Sequence, residues 1–179
     1  MMMNWLRGSK YAAVLLTLLR MYVGWEWLTA GWHKIAGAKP FDAAGFMKGA
    51  IAGPVADNAT HETLYPTFIA FLKHVALPNV KLFNVIVPWG ELFVGAGLLL
   101  GALTTTAVLF GLLMNFMYMF AGTVSTNPWL ILLSFVIVAA GSNAGKFGVD
   151  HYILPFLHER FKKRDRQAPK LHTKGRLHT

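Results

Sequence analysis

Long apolar runs alternate with short polar turns along most of this chain. The first run covers residues 11–32, with Tyr11, Trp25, Trp27 and Trp32 toward its ends. At ~1.5 Å per helical residue such a run is ~33 Å long, enough to cross the hydrocarbon core of a bilayer. Aromatic residues at both ends suit the two membrane–water interfaces. A second run covers residues 84–103, with Pro88 in its first turn. Gly95, Gly97 and Gly101 give it a small-residue face, and Gly97-x-x-x-Gly101 permits close helix packing. The uncharged Thr104-Thr105-Thr106 turn leads to a third run at 107–122. Residues 123–128 form the next turn, and a fourth run follows at 129–142. The pattern predicts an all-α fold: an integral membrane four-helix bundle occupying residues 1–145.

Residues 33–83 form a long connection between the first two runs. Phe41, Ala44, Phe46, Met47 and Ile51 mark one amphipathic piece. A second is expected to begin near Thr60 as N-cap. There Leu64, Phe68, Phe71, Leu72 and Val75 fall on one helical face. Pro66 suits its first turn, and Pro78-Asn79 ends it. Two amphipathic helices lying on the bilayer or capping the bundle are expected in this outer loop.

Composition supports a membrane protein. Of 179 residues, 55% are hydrophobic and only 14% charged, more apolar and less charged than a soluble domain. Cysteine is absent, which excludes thiol–disulfide exchange, thiolate-ligated zinc and iron–sulfur clusters carried by this chain alone. The net charge of +9 invites a nucleic-acid reading, but nine of the 17 Lys and Arg lie from Lys146 onward, just after the last apolar run. That is the expected cytoplasmic flank of a span, and it suits anionic headgroups. Residues 146–179 are therefore read as a basic cytoplasmic tail, and no nucleic-acid partner is expected. An even number of spans places both termini in the cytoplasm and the 33–83 loop outside. Arg20 and the tryptophans after it argue against a cleaved signal peptide. The sequon Asn58-Ala59-Thr60 reads as a chance match.

Ionisable residues inside these runs carry the candidate chemistry. A charge in hydrocarbon costs at least ~2.5–3.5 kcal/mol on insertion scales, so such residues face a protein interior and often mark a site. Counted from the outer surface, Glu26 and Glu91 both lie ~9–10 Å deep. Arg20 lies deeper, near mid-membrane. Arg20 and Glu26 are 240° apart around their helix, so Arg20–Glu91 is the preferred interhelical ion pair, with Arg20–Glu26 left open. Asn115 is near mid-depth on the third run, and Tyr118 one turn further out. Arg20, Lys34, Asn115 and Tyr118 are the candidate substrate-binding residues, and Glu91 and Glu26 the candidate proton relay. His33-Lys34 could form an electropositive mouth. No span contains a histidine, so no haem b is expected, nor a bound metal. His151 and His158 are read as solvated tail residues.

Three features resemble the DoxX/DoxD family. Leu19-Arg20, Gly24 and Gly31-Trp32-His33-Lys34-Ile35 resemble its first-helix pattern. Trp89-Gly90-Glu91-Leu92-Phe93-Val94-Gly95-Ala96-Gly97-Leu98-Leu99-Leu100-Gly101 resembles its second-helix signature. The third feature is the four-span layout. The resemblance carries Arg20, Gly24, Gly31, Lys34 and Glu91 onto the family motif; Glu26 lies outside it. It implies a membrane component of a redox complex, a thiosulfate- or quinone-linked oxidoreductase with quinone as diffusible acceptor. DoxD-type relatives work with a separate DoxA subunit, so a partner subunit or a homo-oligomer is expected. The alternative is a non-catalytic membrane scaffold, chaperone or cargo-binding subunit.

Overall fold

The computed structural model describes residues 1–153, 155 and 156. Helix α1 (Met2–Gly8) leads directly into α2 (Lys10–Ala36). Ser9 separates them and caps α2, its hydroxyl accepting from the backbone N–H of Tyr11 at 3.2 Å, one of the donors a helix start leaves unpaired. Then come α3 (Ala44–Ala52), α4 (Pro66–Phe71) with a π-helical turn at Leu72–Ala76, α5 (Val80–Leu100), α6 (Thr104–Phe120) and α7 (Asn127–Ala140), which ends in a 3₁₀ turn at Gly141–Gly145. Among the described residues there is no β-strand; a single isolated bridge joins Ala56 and Thr63.

Val80–Leu100 and Asn127–Gly145 are long and apolar enough to cross a membrane, and α6 is a shorter apolar helix. At 27 residues α2 is longer still, but Arg20, Glu26 and Lys34 interrupt its apolar run. Large apolar side chains face outward on every long helix: Leu18 and Trp25 on α2, Phe93 on α5, Phe110 on α6 and Leu132 and Phe135 on α7. A water-soluble monomer seldom exposes so much apolar surface.

Glycines set the closest helix contact. Helices α2 and α5 run antiparallel, with Gly31 against Pro88 and Leu92, Gly95 against Leu28, and Gly24 against Leu98 and Leu99. The expected Gly97/Gly101 pair does something else. Gly97 faces Ala107 of α6, and Gly101 is the left-handed C-cap of α5, at φ 64°. That backbone suits glycine, and the Arg20 guanidinium fills the space where a Cβ would stand. The main core joins Leu16, Val23 and Trp27 of α2 to Leu98 of α5, Val108 of α6 and Ile137 of α7.

The 33–83 connection does contain amphipathic pieces, but their bounds differ from expectation. Thr60 caps no helix. Its N–H and that of Ala59 donate to the Asp57 carboxylate at 2.9 and 2.8 Å, an Asx-type turn that competes with helix. These two bonds, Thr60's the stronger, hold the Asp57 carboxyl below its usual range. The helix starts instead at Pro66, whose fixed φ suits a first position. The π turn, closed by Leu77 N–H to Leu72 O at 2.9 Å, then advances the register. Leu72 and Ala76 turn inward, and Val75 is left exposed. Together with Ala43, Met47 and Ala50 of α3 they form a second core, packed beside Phe83 of α5 and Ala121 after α6. Asn84 of α5 pins this cap, its amide accepting from Ala43 N–H at 2.8 Å and donating to Asp42 at 3.2 Å.

At the other end, the chain after α7 folds back. Val149 and Asp150 donate to Leu100 O and Gly101 O at 3.1 and 2.7 Å. The Asp150 carboxylate accepts from Leu103 N–H at 2.6 Å and Thr104 N–H at 2.9 Å, capping α6. Leu103 has φ 49°, unfavourable for a branched side chain; Asp150 holds it there. Asp150 thus leaves the expected solvated tail. His151 is exposed, as read; His158 lies outside the described residues, as does most of the basic tail.

Candidate functional site

A cavity of about 990 Å³ extends from the cap, at Phe46 and Phe68, to the α5–α6 turn at Leu103. Its walls are almost wholly aromatic and aliphatic side chains of α2, α5 and α6, and its size falls at the upper end for ligand pockets. The charged groups among its lining residues are Glu26, Lys34 and Glu91.

Glu91 is 1% exposed. It sits midway along α5, one turn from Pro88, opposite the last turns of α2. Lys34, near the C-terminal end of α2, folds its stem inward, and its ammonium donates to Oε2 of Glu91 at 2.6 Å and Oε1 at 2.9 Å. The Tyr118 hydroxyl of α6 donates to Oε1 at 2.5 Å. Such charge-assisted bonds are short and strong. Three helices thus converge on one carboxylate. The Lys34 ammonium also lies 5.8 Å from the centre of the Phe41 ring, within cation–π range. Phe46 packs edge-on against Tyr118, with ring centres 5.9 Å apart. The cap therefore packs beside the triad through Phe41 and Phe46.

The Arg20–Glu91 ion pair preferred from the sequence is not formed. Arg20 is buried, but in the N-terminal half of α2, well away from Lys34 and beside the C-terminal end of α5. Its guanidinium donates from Nη1 to Leu98 O at 2.8 Å and from Nη2 to Phe147 O at 3.2 Å. The guanidinium thus ties the C-terminal turn of α5 to the segment after α7, using two of its five donors. Arg20 is not among the cavity's lining residues. Lys34, expected at the mouth, reaches the buried carboxylate instead; His33 beside it is exposed. Glu26 is half-buried and lines the cavity, and its carboxylate has no hydrogen bond or ion pair among the described residues.

Asn115 lies in the core rather than the cavity lining. It is fully buried, and neither its amide oxygen nor its nitrogen has a protein partner among the described residues. Trp27 Nε1 and Ser134 Oγ are orphaned likewise. Gly111, one turn before Asn115, makes room for the Trp27 indole. Buried polar atoms without partners cost ~1–3 kcal/mol each, so Asn115→Leu is expected to raise the melting temperature in detergent. If Asn115 serves substrate, activity falls while stability rises; a fall in both would show that it has partners in the native bundle.

A family model described as DoxX matches residues 15–124. The chain belongs to the DoxX family. The match spans most of α2 through α6 and so includes Lys34, Glu91, Tyr118, Arg20 and Asn115. DoxX proteins are membrane-associated and often linked to redox systems. No curated protein and no solved structure matches the chain. The residue sequence reasoning missed is Asp150; as one of three acidic residues after α7, with Glu159 and Asp165, it carried no signal of its own in the sequence.

Proposed function

We propose that this DoxX protein is a four-span subunit of a membrane redox complex that binds quinone in the cavity beside Glu91. Helices α2, α5, α6 and α7 are the spans, with both termini in the cytoplasm. Supporting this, the two ends of the bundle's chain meet: Asn143 donates to Leu6 O at 2.8 Å and Ser9 O at 3.1 Å. The Lys and Arg bias of the tail gives the orientation.

The observation that carries the reading is a buried carboxylate, held by an ammonium and a phenol, in the wall of a large apolar cavity. A quinone needs an apolar slot for its ring and tail and polar groups at its carbonyl oxygens. Its reduction takes two electrons and two protons. The electrons would come from a reduced sulfur compound such as thiosulfate, oxidised at a partner subunit. In this reading the Lys34 ammonium donates to a carbonyl oxygen, Tyr118 does so by turning its one O–H away from Glu91, and Glu91 takes and returns a proton. Glu26, unpaired on the same wall, is the second proton carrier.

A second reading has its own observation. Among the described residues Glu91 bonds to side chains of two other helices, Lys34 of α2 and Tyr118 of α6, which would also suit a lock that fixes helix register in a scaffold. Reduction of a soluble quinone analogue by thiosulfate, in complexes purified from native membranes, separates the two. Glu91→Gln retains an acceptor for Tyr118. It is expected to lower the rate at least ~100-fold, the usual scale for losing an acid–base group, with an unchanged elution profile. An unchanged rate would reject the quinone site. Loss of assembly without an effect on per-complex rate would favour the scaffold.

A further inference from the structure

We propose that the cytoplasmic end of the bundle binds the phosphate headgroup of an anionic phospholipid, in a second pocket between α1 and the segment after α7. This rests on the chain being membrane-embedded, not on the quinone reading, and the pocket falls outside the family match at residues 15–124.

The pocket holds about 320 Å³ and is lined by Arg7, Ser142, Asn143, Lys146, Asp150 and His151, among others. It is built rather than incidental. Arg7 is positioned by one bond, Nε to Ala139 O at 2.9 Å, which leaves its outer nitrogens available. Lys146 is half-buried. Among the described residues, neither Arg7 nor Lys146 forms an ion pair. The one carboxylate in the wall is turned to other work: Asp150 is 3% exposed, and both of its oxygens accept backbone N–H groups of the α5–α6 turn. Two unpaired cations, a histidine and a serine hydroxyl thus face a space whose acid is already occupied. That is the chemistry of a phosphate site.

The surroundings point to a lipid as the source of that phosphate. Met2, Met3 and Trp5 on α1 are 79%, 43% and 47% exposed, and Phe147 and Tyr152, across the pocket, are 51% and 77% exposed. These apolar groups flank a basic pocket beside the bundle's inner end. Acyl chains could lie against them while the headgroup sits between Arg7 and Lys146, as at other basic pockets on cytoplasmic membrane faces.

The test uses the full chain in neutral detergent, with lipid binding read by native mass spectrometry. Phosphatidylglycerol is expected to bind with one preferred site per protein and to outcompete phosphatidylcholine. Lys146→Gln, whose side chain makes no described hydrogen bond, should cut that preference roughly fivefold, on the scale of one Lys or Arg at a charged surface. Arg7→Gln/Lys146→Gln should abolish it. Lys39→Gln/Lys48→Gln, at the other end of the molecule, should leave it intact. Equal loss in the Lys39/Lys48 variant would mean general electrostatic attraction and overturn the proposal. So would an unchanged preference in folded Lys146→Gln. Competition by inorganic phosphate as strong as by the lipid would assign the pocket to a free anion instead.

Discussion

Replacing Lys34 by methionine is expected to destabilise the protein more than any other single substitution of a polar side chain. The stem volume is nearly kept, so the effect isolates the ammonium. Without it, both Glu91 oxygens lose their 2.6 and 2.9 Å bonds, and a carboxylate 1% exposed keeps only Tyr118. Removing one partner of a buried ion pair costs ~3–5 kcal/mol, because the other charge is left without compensation. Putting Glu91→Gln into the same chain removes that orphaned charge and keeps an acceptor for Tyr118. Lys34→Met/Glu91→Gln should therefore be more stable than Lys34→Met alone. Thermal unfolding in detergent, followed by tryptophan fluorescence, measures all three. If the two losses simply add, Lys34 and Glu91 are not coupled and the site described above is wrong.

Gly95→Val should be more severe still, through backbone contact. A Cβ at Gly95 would stand 2.3 Å from Leu28 N and 2.6 Å from Leu28 Cα. Neither atom can move without shifting α2 as a whole; along the same seam a Cβ would meet backbone at 2.6 Å at Gly31 and at 3.0 Å at Gly24. Overpacking in a well-packed core costs ~1–3 kcal/mol when side chains can yield; here the obstacle is main chain, so little folded protein is expected. Gly90→Ala is the control. Its Cβ would meet only Met114, at 3.6 Å or more, and folded yield should match the wild type. Size-exclusion profiles of the two variants decide the matter. A monodisperse Gly95→Val protein with a wild-type melting temperature would show that α2 and α5 are further apart than described.

Much of the helical organisation was legible because apolar runs of this length leave few alternatives, and Arg20 and Glu91 were rightly read as buried. Pairing was harder. Depth counted along a helix locates a Cα, whereas lysine and arginine place their charge several ångströms away. Lys34, counted as a mouth residue, reaches in to Glu91; Arg20, counted as an ion-pair partner, turns toward one carbonyl at the end of α5 and one after α7. The start of α5 also moved the arithmetic, since the helix begins at Val80 rather than residue 84. The π turn at Leu72–Ala76 inserts a register shift that a 3.6-residue period cannot anticipate, which is why Val75 and Ala76 exchanged roles. Asp150 was missed because a charge after the last span is ordinarily solvated; only the exposed N–H groups of a left-handed turn at Leu103 give it a buried place.

That grip on the α5–α6 turn makes the polypeptide after α7 a handle. Leu103 belongs to the cavity wall, and its N–H is held by Asp150, four residues past Lys146, where the run of basic residues begins. Whatever pulls on the C-terminal segment, whether a docking subunit or a charged surface, pulls on the α5–α6 turn, through the Asp150 carboxylate and the backbone bonds of Val149 and Asp150 to Leu100 and Gly101. The distance from that point to the Glu91 triad is spanned by α6, a continuous rod. A displacement of that turn therefore has a direct structural route, along one helix, to Tyr118.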